Sequence, residues 1–307
     1  MKGMKNRYYD LNTYFRDLYG GRVHKISVDA GLSCPNRDGT LSTGGCIYCN
    51  PRGSGTGAHA RGLSVSQQLA QGIPNLYRRY KAKKFIAYFQ SFTNTYAPIP
   101  KLRALWEEAF SIPEVVGISV GTRPDCVGEE TLDLLGDFSR RGLIWIEYGL
   151  QSIHDATLQR INRGHDFGCF ERAVEAARKR DINICAHVIL GLPGEHQNEM
   201  LKTARAIGRM DIQGIKVHLL YVVKGTELAR LYKQGNYRCL EQQEYVDLVC
   251  QLLELLPREM VIQRLTGDPH PEELVAPAWS LKKSETLDLI KTRLEEKDSC
   301  QGRLYSR

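Results

Sequence analysis

The chain has 307 residues, 42% of them hydrophobic and 25% charged, enough for one sizeable α/β domain or two small ones. No apolar run approaches the ~20 residues that span a bilayer. The N-terminal MKGMKNRYYDLNTYF lacks the apolar stretch of a secretory signal, so a soluble cytoplasmic protein with no membrane partner is expected. The net charge of +7 is uneven, since residues 1–100 carry 14 Lys or Arg against four Asp and no Glu.

Residues 23–29 alternate in polarity and read as a strand, which leads into a loop dense in Gly, Pro and Asn. Residues 65–80 read as a helix. At its end Arg78, Arg79, Lys81, Lys83 and Lys84 place five cations within seven residues. Such a cluster attracts polyanions and is the candidate nucleic-acid-binding surface. A solvated helix end is the plainer alternative. Strands follow at 85–90, 115–121, 143–150, 182–190 and 212–221, with helices at 102–110, 129–141, 167–179 and 195–207 between them. Six strands with intervening helices imply a parallel α/β sheet with right-handed crossovers, closed as a barrel or open and doubly wound. In either case chemistry gathers where strands end. The rhythm then changes to a helix at 241–255, a short strand at 261–265 and a last helix at 281–296. Residues 1–225 are therefore read as the core and 226–307 as an α/β extension.

Nine cysteines are many for a chain with no route to an oxidising compartment, so a clustered subset points to metal or redox chemistry. Cys34, Cys46 and Cys49 form that subset, in GLSCPNRDGTLSTGGCIYCNPRGSGTG. Thiolates suit iron–sulfur clusters and zinc. A closed structural site has four protein ligands, whereas three cysteines leave one position open. The competing reading is a zinc loop completed by His24, His59 or another cysteine. Tyr48 places an aromatic ring beside the last cysteine. The other six cysteines are scattered, and none is given a chemical role.

Cys-x11-Cys-x-Tyr-Cys after a first strand resembles the hallmark of radical S-adenosylmethionine (SAM) enzymes. The long gap and the flanking VDAGLSCPNRDG are similar to the YhcC/YtqA-type branch, related to the catalytic subunit of Elongator. The resemblance runs from about residue 8 to residue 283. It implies a partial (β/α)6 barrel, a [4Fe–4S] cluster held by Cys34, Cys46 and Cys49, and SAM on the open iron.

The resemblance also assigns SAM-binding roles at the later strand ends. YFQSFTNTY brings Gln90, Ser91 and Thr93 where the wider superfamily has a Gly-Gly-Glu-like segment. SVGTRPD brings Thr122 and Arg123, whose guanidinium can grip a carboxylate in bidentate fashion. A surface salt bridge is the alternative for Arg123. IEYGLQS contains Glu147, and an unpaired carboxylate in an apolar strand is costly, so it needs a partner. The resemblance gives it the SAM ribose, with Gln151 and Ser152 following the same pattern. An ion pair with an arginine is the alternative. Arg163 is the candidate for that pair or for the SAM carboxylate. HVILGLPGE supplies Gly191 and Gly194 for close backbone approach, with His187 where a glycine is usual.

The implied chemistry is one-electron reduction of the cluster by a donor such as flavodoxin or ferredoxin, reductive cleavage of SAM, and hydrogen abstraction by a 5′-deoxyadenosyl radical. The barrel mouth must then be covered, by residues 8–19 or by the segment after Gly267. The Elongator relatives act on carbon 5 of the wobble uridine of tRNA. This chain lacks their acetyltransferase domain, so the expected variant is processing of an existing side chain, carboxymethylaminomethyl to aminomethyl. A small-molecule reaction on a substrate such as a tetrapyrrole, which favours a deep arginine-lined pocket, is the second reading. A non-enzymatic iron–sulfur or zinc protein that binds nucleic acid is the third.

Overall fold

A computed structural model describes residues 6–50, 53 and 57–306. Seven strands form one wholly parallel sheet in the order β1 (Val23–Val28), β2 (Lys84–Phe89), β3 (Val115–Thr122), β4 (Leu143–Gln151), β5 (Asn183–Leu190), β6 (Gly214–Leu219) and, beyond a short β7 (Val222–Val223), β8 (Val261–Arg264). The strands are joined by α2 (Val65–Tyr80), α3 (Ile99–Phe110), α4 (Glu129–Ser139), α6 (Phe167–Arg178), α7 (Gln197–Arg209) and α9 (Gln242–Glu254). One strand more than the six expected is present, because β8 pairs with β6 and turns part of the C-terminal extension into a further βα unit.

Period-2 alternation sorts the strand side chains onto two faces. Outward residues such as Val28, Phe89, Ile118, Ile146 and Val217 pack against Leu69, Trp106, Leu135, Phe170 and Val249 of the helices in the main core. Inward residues face a lumen. Lys25 of β1 donates to Gln263 of β8 at 2.7 Å, although these strands are the two edges of the sheet. The sheet therefore curls into an incomplete barrel with a lateral opening between β1 and β8.

The opening is partly filled by the chain ends. Tyr9–Asp10 runs beside β8, with Ile262 donating its N–H to the Tyr9 carbonyl at 2.8 Å. Gln301 holds this segment by accepting from the Tyr9 N–H at 2.9 Å. The sequence offers residues 8–19 as a cover for the mouth, but α1 (Leu11–Tyr19) lies at the other end. Tyr14 packs edge-on against Trp145 of β4 with ring centroids 5.7 Å apart, and Phe15 sits against Val23 and Ile86. The apolar face of α1 matches the apolar first rung of the strands, so it plugs the N-terminal end of the barrel.

The segment after Gly267 does reach the mouth. Its β9 (Leu274–Ala276) pairs antiparallel with β7, and Asn50 of the cysteine loop donates to Glu273 at 2.7 Å. The remaining helices are α5 (Asp155–Arg160), α8 (Glu227–Lys233) and α10 (Lys283–Glu296). No helix of the described residues is long and apolar enough to cross a membrane.

Candidate active site

The loop after β1 is pinned from below and from the side. The Thr93 N–H donates to the Ser33 carbonyl at 3.2 Å, and the Ile47 N–H to the Ile161 carbonyl at 3.1 Å. Ile47 and Tyr48 join a small apolar cluster with Leu158, Ile161, Ile189, Leu220 and Val222. Buried Asn36 donates to the Asn162 carbonyl at 2.6 Å, and Asn162 returns a bond to the Gly45 carbonyl at 2.7 Å. A loop rich in glycine is thus held rigidly by the RINRG turn after α5.

This clamping brings Cys34, Cys46 and Cys49 to one cavity of about 190 Å³ at the C-terminal ends of the strands. Neither His24 nor His59 nor any further described cysteine lines it, so none of the fourth zinc ligands offered by the sequence is found there. His24 stacks on Tyr80, and His59 lies against Gly31. The three sulfurs also do not all come within 4.8 Å of one another. Tetrahedral zinc, with bonds of about 2.3 Å, would draw thiolates to roughly 3.8 Å. Wider spacing fits a polynuclear cluster.

The surroundings fit an anionic centre. Arg163, 6% exposed, donates to the Gly149 carbonyl at 2.6 Å and to the Cys46 sulfur at 3.7 Å, and makes no ion pair with a carboxylate among the described residues. A buried guanidinium needs a counter-charge, and ligated thiolates supply it. Burial, and then Cys46, push the Cys49 thiol up to about 11, so a metal must displace its proton.

The predicted SAM residues divide into two groups. Tyr48, Gln90, Thr93, Thr122, Arg123, Glu147, Gln151 and Arg163 line the same cavity as the cysteines. The Thr93 hydroxyl and Arg123 Nη1 are buried without a hydrogen-bond partner, although Arg123 grips Asp125 in bidentate fashion at 2.9 and 2.7 Å. Orphaned polar atoms facing a cavity fit the amino and carboxylate groups of SAM. Phe92 and Gln151 hold positive φ of 60° and 79° on the cavity wall, local strain of the kind that collects at functional sites.

Ser91, Gly191 and Gly194 are not on that wall. Ser91 is buried, Gly191 faces Leu240 and accepts from the Tyr237 hydroxyl at 2.9 Å, and Gly194 faces Arg160. Ser152 donates instead to Glu195.

Glu147 has partners that its place in the sequence does not reveal. Its carboxylate accepts from Lys25 at 2.6 Å, from His187 at 2.7 Å, and from Lys216 and Ser119. Four donors occupy the four lone-pair directions of a carboxylate, so a ribose hydroxyl would have to displace one of them. The expected arginine partner is replaced by two lysines. Burial works against the charge. Lys216 first, then Lys25 and the His187 hydrogen bond, outweigh it and hold the carboxyl well below its usual range. Tyr88 lies between the lysines, with ammonium-to-ring distances of 5.0 and 3.9 Å. The signal for these residues is present in GIKVHL and VHKISV, where Lys216 and His218, and Lys25 and Ser27, stand at alternate positions opposite core residues such as Ile215, Val217, Ile26 and Val28.

The five candidate nucleic-acid residues lie elsewhere. Arg78, Arg79, Lys81, Lys83 and Lys84 are all exposed and precede or open β2, at the end of the barrel opposite the cysteines.

Comparison with known proteins agrees with this geometry. The pattern of the radical SAM superfamily matches residues 39–207, and that of the radical SAM C-terminal domain matches residues 212–296. YtqA of Bacillus subtilis (strain 168) is 42% identical over 303 residues, covering 99% of this chain and 94% of its own length. YhcC of Escherichia coli (strain K12) is 41% identical over 273 residues, covering 88% and 87%. A more distant relative, the tRNA uridine(34) acetyltransferase of Methanocaldococcus jannaschii, is 24% identical over 198 residues, covering 62% of this chain and 36% of its own. The structure of Elp3 from Methanocaldococcus infernus shares the fold at a TM-score of 0.71 and 17% identity, over 91% of this chain and 64% of that one. The superfamily's enzymes use a [4Fe–4S] cluster and SAM, and this chain belongs to it.

Proposed function

We propose that this enzyme acts on the wobble uridine of tRNA, removing the carboxymethyl group from a 5-carboxymethylaminomethyl side chain to leave 5-aminomethyl. The observation that carries the reading is the lumen itself. Below the cysteine cavity one buried carboxylate, Glu147, serves two lysines, and the wall adds Arg264 with no carboxylate partner among the described residues. An unbalanced positive lumen in low dielectric calls for an anionic group on the substrate. The name of the uridine(34) acetyltransferase relative points to the same nucleoside.

Cys34, Cys46 and Cys49 hold the cluster in this reading, while Arg123, Thr93, Gln151 and Arg163 face SAM. When bound, these cofactors would supply a hydrogen-abstracting carbon radical, and a donor of the flavodoxin or ferredoxin class would supply only a priming electron, returned to the cluster when the substrate radical is oxidised, so that SAM accounts for both oxidising equivalents. The glycine-like C–H of the arm is the favoured target, since nitrogen and carboxylate stabilise the resulting substrate radical. In net terms the C–N unit loses two electrons and takes up one water. Its C–N bond breaks, releasing glyoxylate and leaving the aminomethyl arm. The protein's part is to fix the arm against the cysteine cavity and to keep out water and stray hydrogen donors.

The test is anaerobic incubation of reconstituted enzyme with SAM, dithionite and tRNA carrying the 5-carboxymethylaminomethyl group. Nucleoside mass spectrometry should show 5-aminomethyluridine with equal glyoxylate. 5′-Deoxyadenosine without any change in the tRNA sinks the substrate assignment. The arginines of the cavity equally suit a small anionic molecule, so turnover of a tetrapyrrole carboxylate in a parallel reaction would favour the second reading.

A further inference from the structure

The lumen has a second cavity of about 490 Å³ behind the lateral opening between β1 and β8. This exceeds the lower size of small-molecule sites, about 300 Å³, so a nucleoside-sized group can enter. It meets the cysteine cavity at three shared wall residues, Tyr88, Gln90 and Arg264. Whatever passes from the opening towards the cysteines passes Arg264.

The state of Arg264 distinguishes it from every other arginine of the two walls. Arg123 is paired with Asp125, Arg163 bonds Gly149 and Cys46, and Arg37 donates to the Cys49 carbonyl at 3.4 Å. Arg264 is half-buried yet makes no side-chain hydrogen bond and no ion pair among the described residues. Nearby, His218 Nε2 is buried and has no partner. Burial, and then the Arg264 charge, hold the His218 imidazole well below its usual pKa, so it is neutral and can donate one N–H. Glu147 is fully engaged with Lys25, Lys216, His187 and Ser119 and is not available to Arg264. The groups left over are a five-donor planar fork and one ring nitrogen. That set matches a planar carboxylate.

We infer that Arg264, assisted by His218, is the carboxylate-recognition site of the lumen: the substrate arm enters between β1 and β8 and docks its carboxylate on the Arg264 guanidinium. This deepens the proposed function and rests on it for the identity of the carboxylate. It makes Arg264 a specificity determinant, able to tell the carboxymethylaminomethyl arm from the aminomethyl product. A hydrogen-bonded charge of this kind is worth roughly 10- to 100-fold in affinity.

The experiment measures binding, so that it does not depend on turnover. Two anticodon stem-loops with identical phosphates, one carrying 5-carboxymethylaminomethyluridine and one 5-aminomethyluridine, are titrated anaerobically into reconstituted enzyme with SAM. The wild-type protein should bind the first about 10- to 100-fold more tightly. Arg264→Ala should bring the two affinities within about threefold, while Arg264→Lys, which keeps the charge and loses the fork, should fall between. Equal weakening towards both stem-loops would mean a phosphate contact or a damaged fold, and would overturn the assignment. So would an unchanged ratio in Arg264→Ala, or no discrimination by the wild type. If discrimination holds but no aminomethyl product forms during turnover, the functional reading fails and the carboxylate site stands.

Discussion

The two ends of the barrel hold cations in opposite ways. At the cysteine end Arg123 and Arg163 are 2% and 6% exposed, and each is fixed by hydrogen bonds to a neighbour. At the other end Arg78, Arg79, Lys81, Lys83 and Lys84 are exposed, and none is ion-paired to a carboxylate among the described residues. Three of them rest on rings, Arg79 on Tyr80, Lys81 on Tyr77 and Lys84 on Tyr19, at 5.1, 5.9 and 5.0 Å. Buried charge is oriented in advance and costly to disturb, whereas exposed charge is screened by salt and individually weak. The first arrangement suits chemistry at fixed atoms. The second suits long-range attraction of a polyanion.

The sharpest break of this contrast is at the cysteines. Anaerobic reconstitution should load about four irons per chain with a brown absorption. Cys34→Ala, Cys46→Ala or Cys49→Ala should each abolish it, whereas Cys126→Ala and Cys169→Ala should load normally. Iron analysis and visible spectra decide the matter, and a cluster that survives loss of Cys46 would remove the basis of the site.

Glu147 comes next. Glu147→Ala leaves Lys25 and Lys216 without their shared counter-charge inside the barrel, which should cost about 3–5 kcal/mol of stability. Removing a lysine as well, in Glu147→Gln with Lys216→Met, should restore most of the loss, because the charge imbalance is smaller. Denaturant midpoints of the three proteins test this. SAM affinity measured on the double variant separates the roles. A ribose contact predicts weaker SAM binding even in the restabilised protein, and a purely structural carboxylate predicts no change.

The difference between these two sites is also a difference in legibility. The cysteine loop can be read because its spacing is local, and the strands because their outward faces are continuous apolar runs. α2 falls at residues 65–80 as expected, and β4 ends within one residue of the expected bound. The lumen cannot be read in full. Glu147 announces that it needs a partner, but Lys25 and Lys216 are 122 and 69 residues away from it in sequence and meet it only because the sheet curls. The position of α1 is hidden since its apolar face is short, made of Leu11, Tyr14, Phe15 and Tyr19, and its place beneath Trp145 depends on a gap that exists only in three dimensions. The seventh strand is legible as a strand, yet only pairing with β6 makes it part of the barrel.

A pH series sharpens the contrast further. Burial lowers His187 to about 4, against the opposing pull of its bond to Glu147, while an unfolded histidine titrates near 6.5. Between these values the unfolded chain binds the extra proton and the folded one does not. Stability should therefore fall as pH drops from about 6.5 towards 4, by up to roughly 3 kcal/mol from this residue. Glu147, whose pKa is depressed, adds a loss that begins as pH falls through the ordinary carboxyl value near 4.5, where the unfolded chain takes up a proton and the folded one does not. Denaturant midpoints at pH 7.5, 6, 5 and 4.5 should decline for the wild type, and His187→Gln should flatten the decline in the upper part of that range. An identical slope in the variant would assign the acid sensitivity elsewhere.

The smallest effect per residue is expected at the basic end, where the question is whether the patch reads tRNA at all. β2 has six residues and spans about 17 Å from Lys84 to Phe89, so the patch lies roughly that far from the cysteine cavity. The patch nevertheless adjoins the lateral opening, because Val23 on that cavity's wall pairs with Lys84 and His24 stacks on Tyr80, so a tRNA entering between β1 and β8 passes close to it. Each exposed cation that neutralises a phosphate releases counterions and steepens the salt dependence by close to one unit of slope. Replacing Arg78, Arg79, Lys81, Lys83 and Lys84 together by Gln should weaken tRNA binding at 50 mM salt more than at 200 mM. The slope should flatten by about one unit for each phosphate that is no longer neutralised. Folding stability should move little, since these side chains are solvated. Iron content and SAM cleavage without tRNA should not change, because the patch sits at the far end of the strands from the cysteine loop. The same affinity and the same slope in the five-residue variant would show the patch to be a solvated rim, leaving the lumen and its mouth to supply the binding. A lost slope with intact cleavage would make the two ends separable functions, one gathering the polyanion and the other acting on a single carbon.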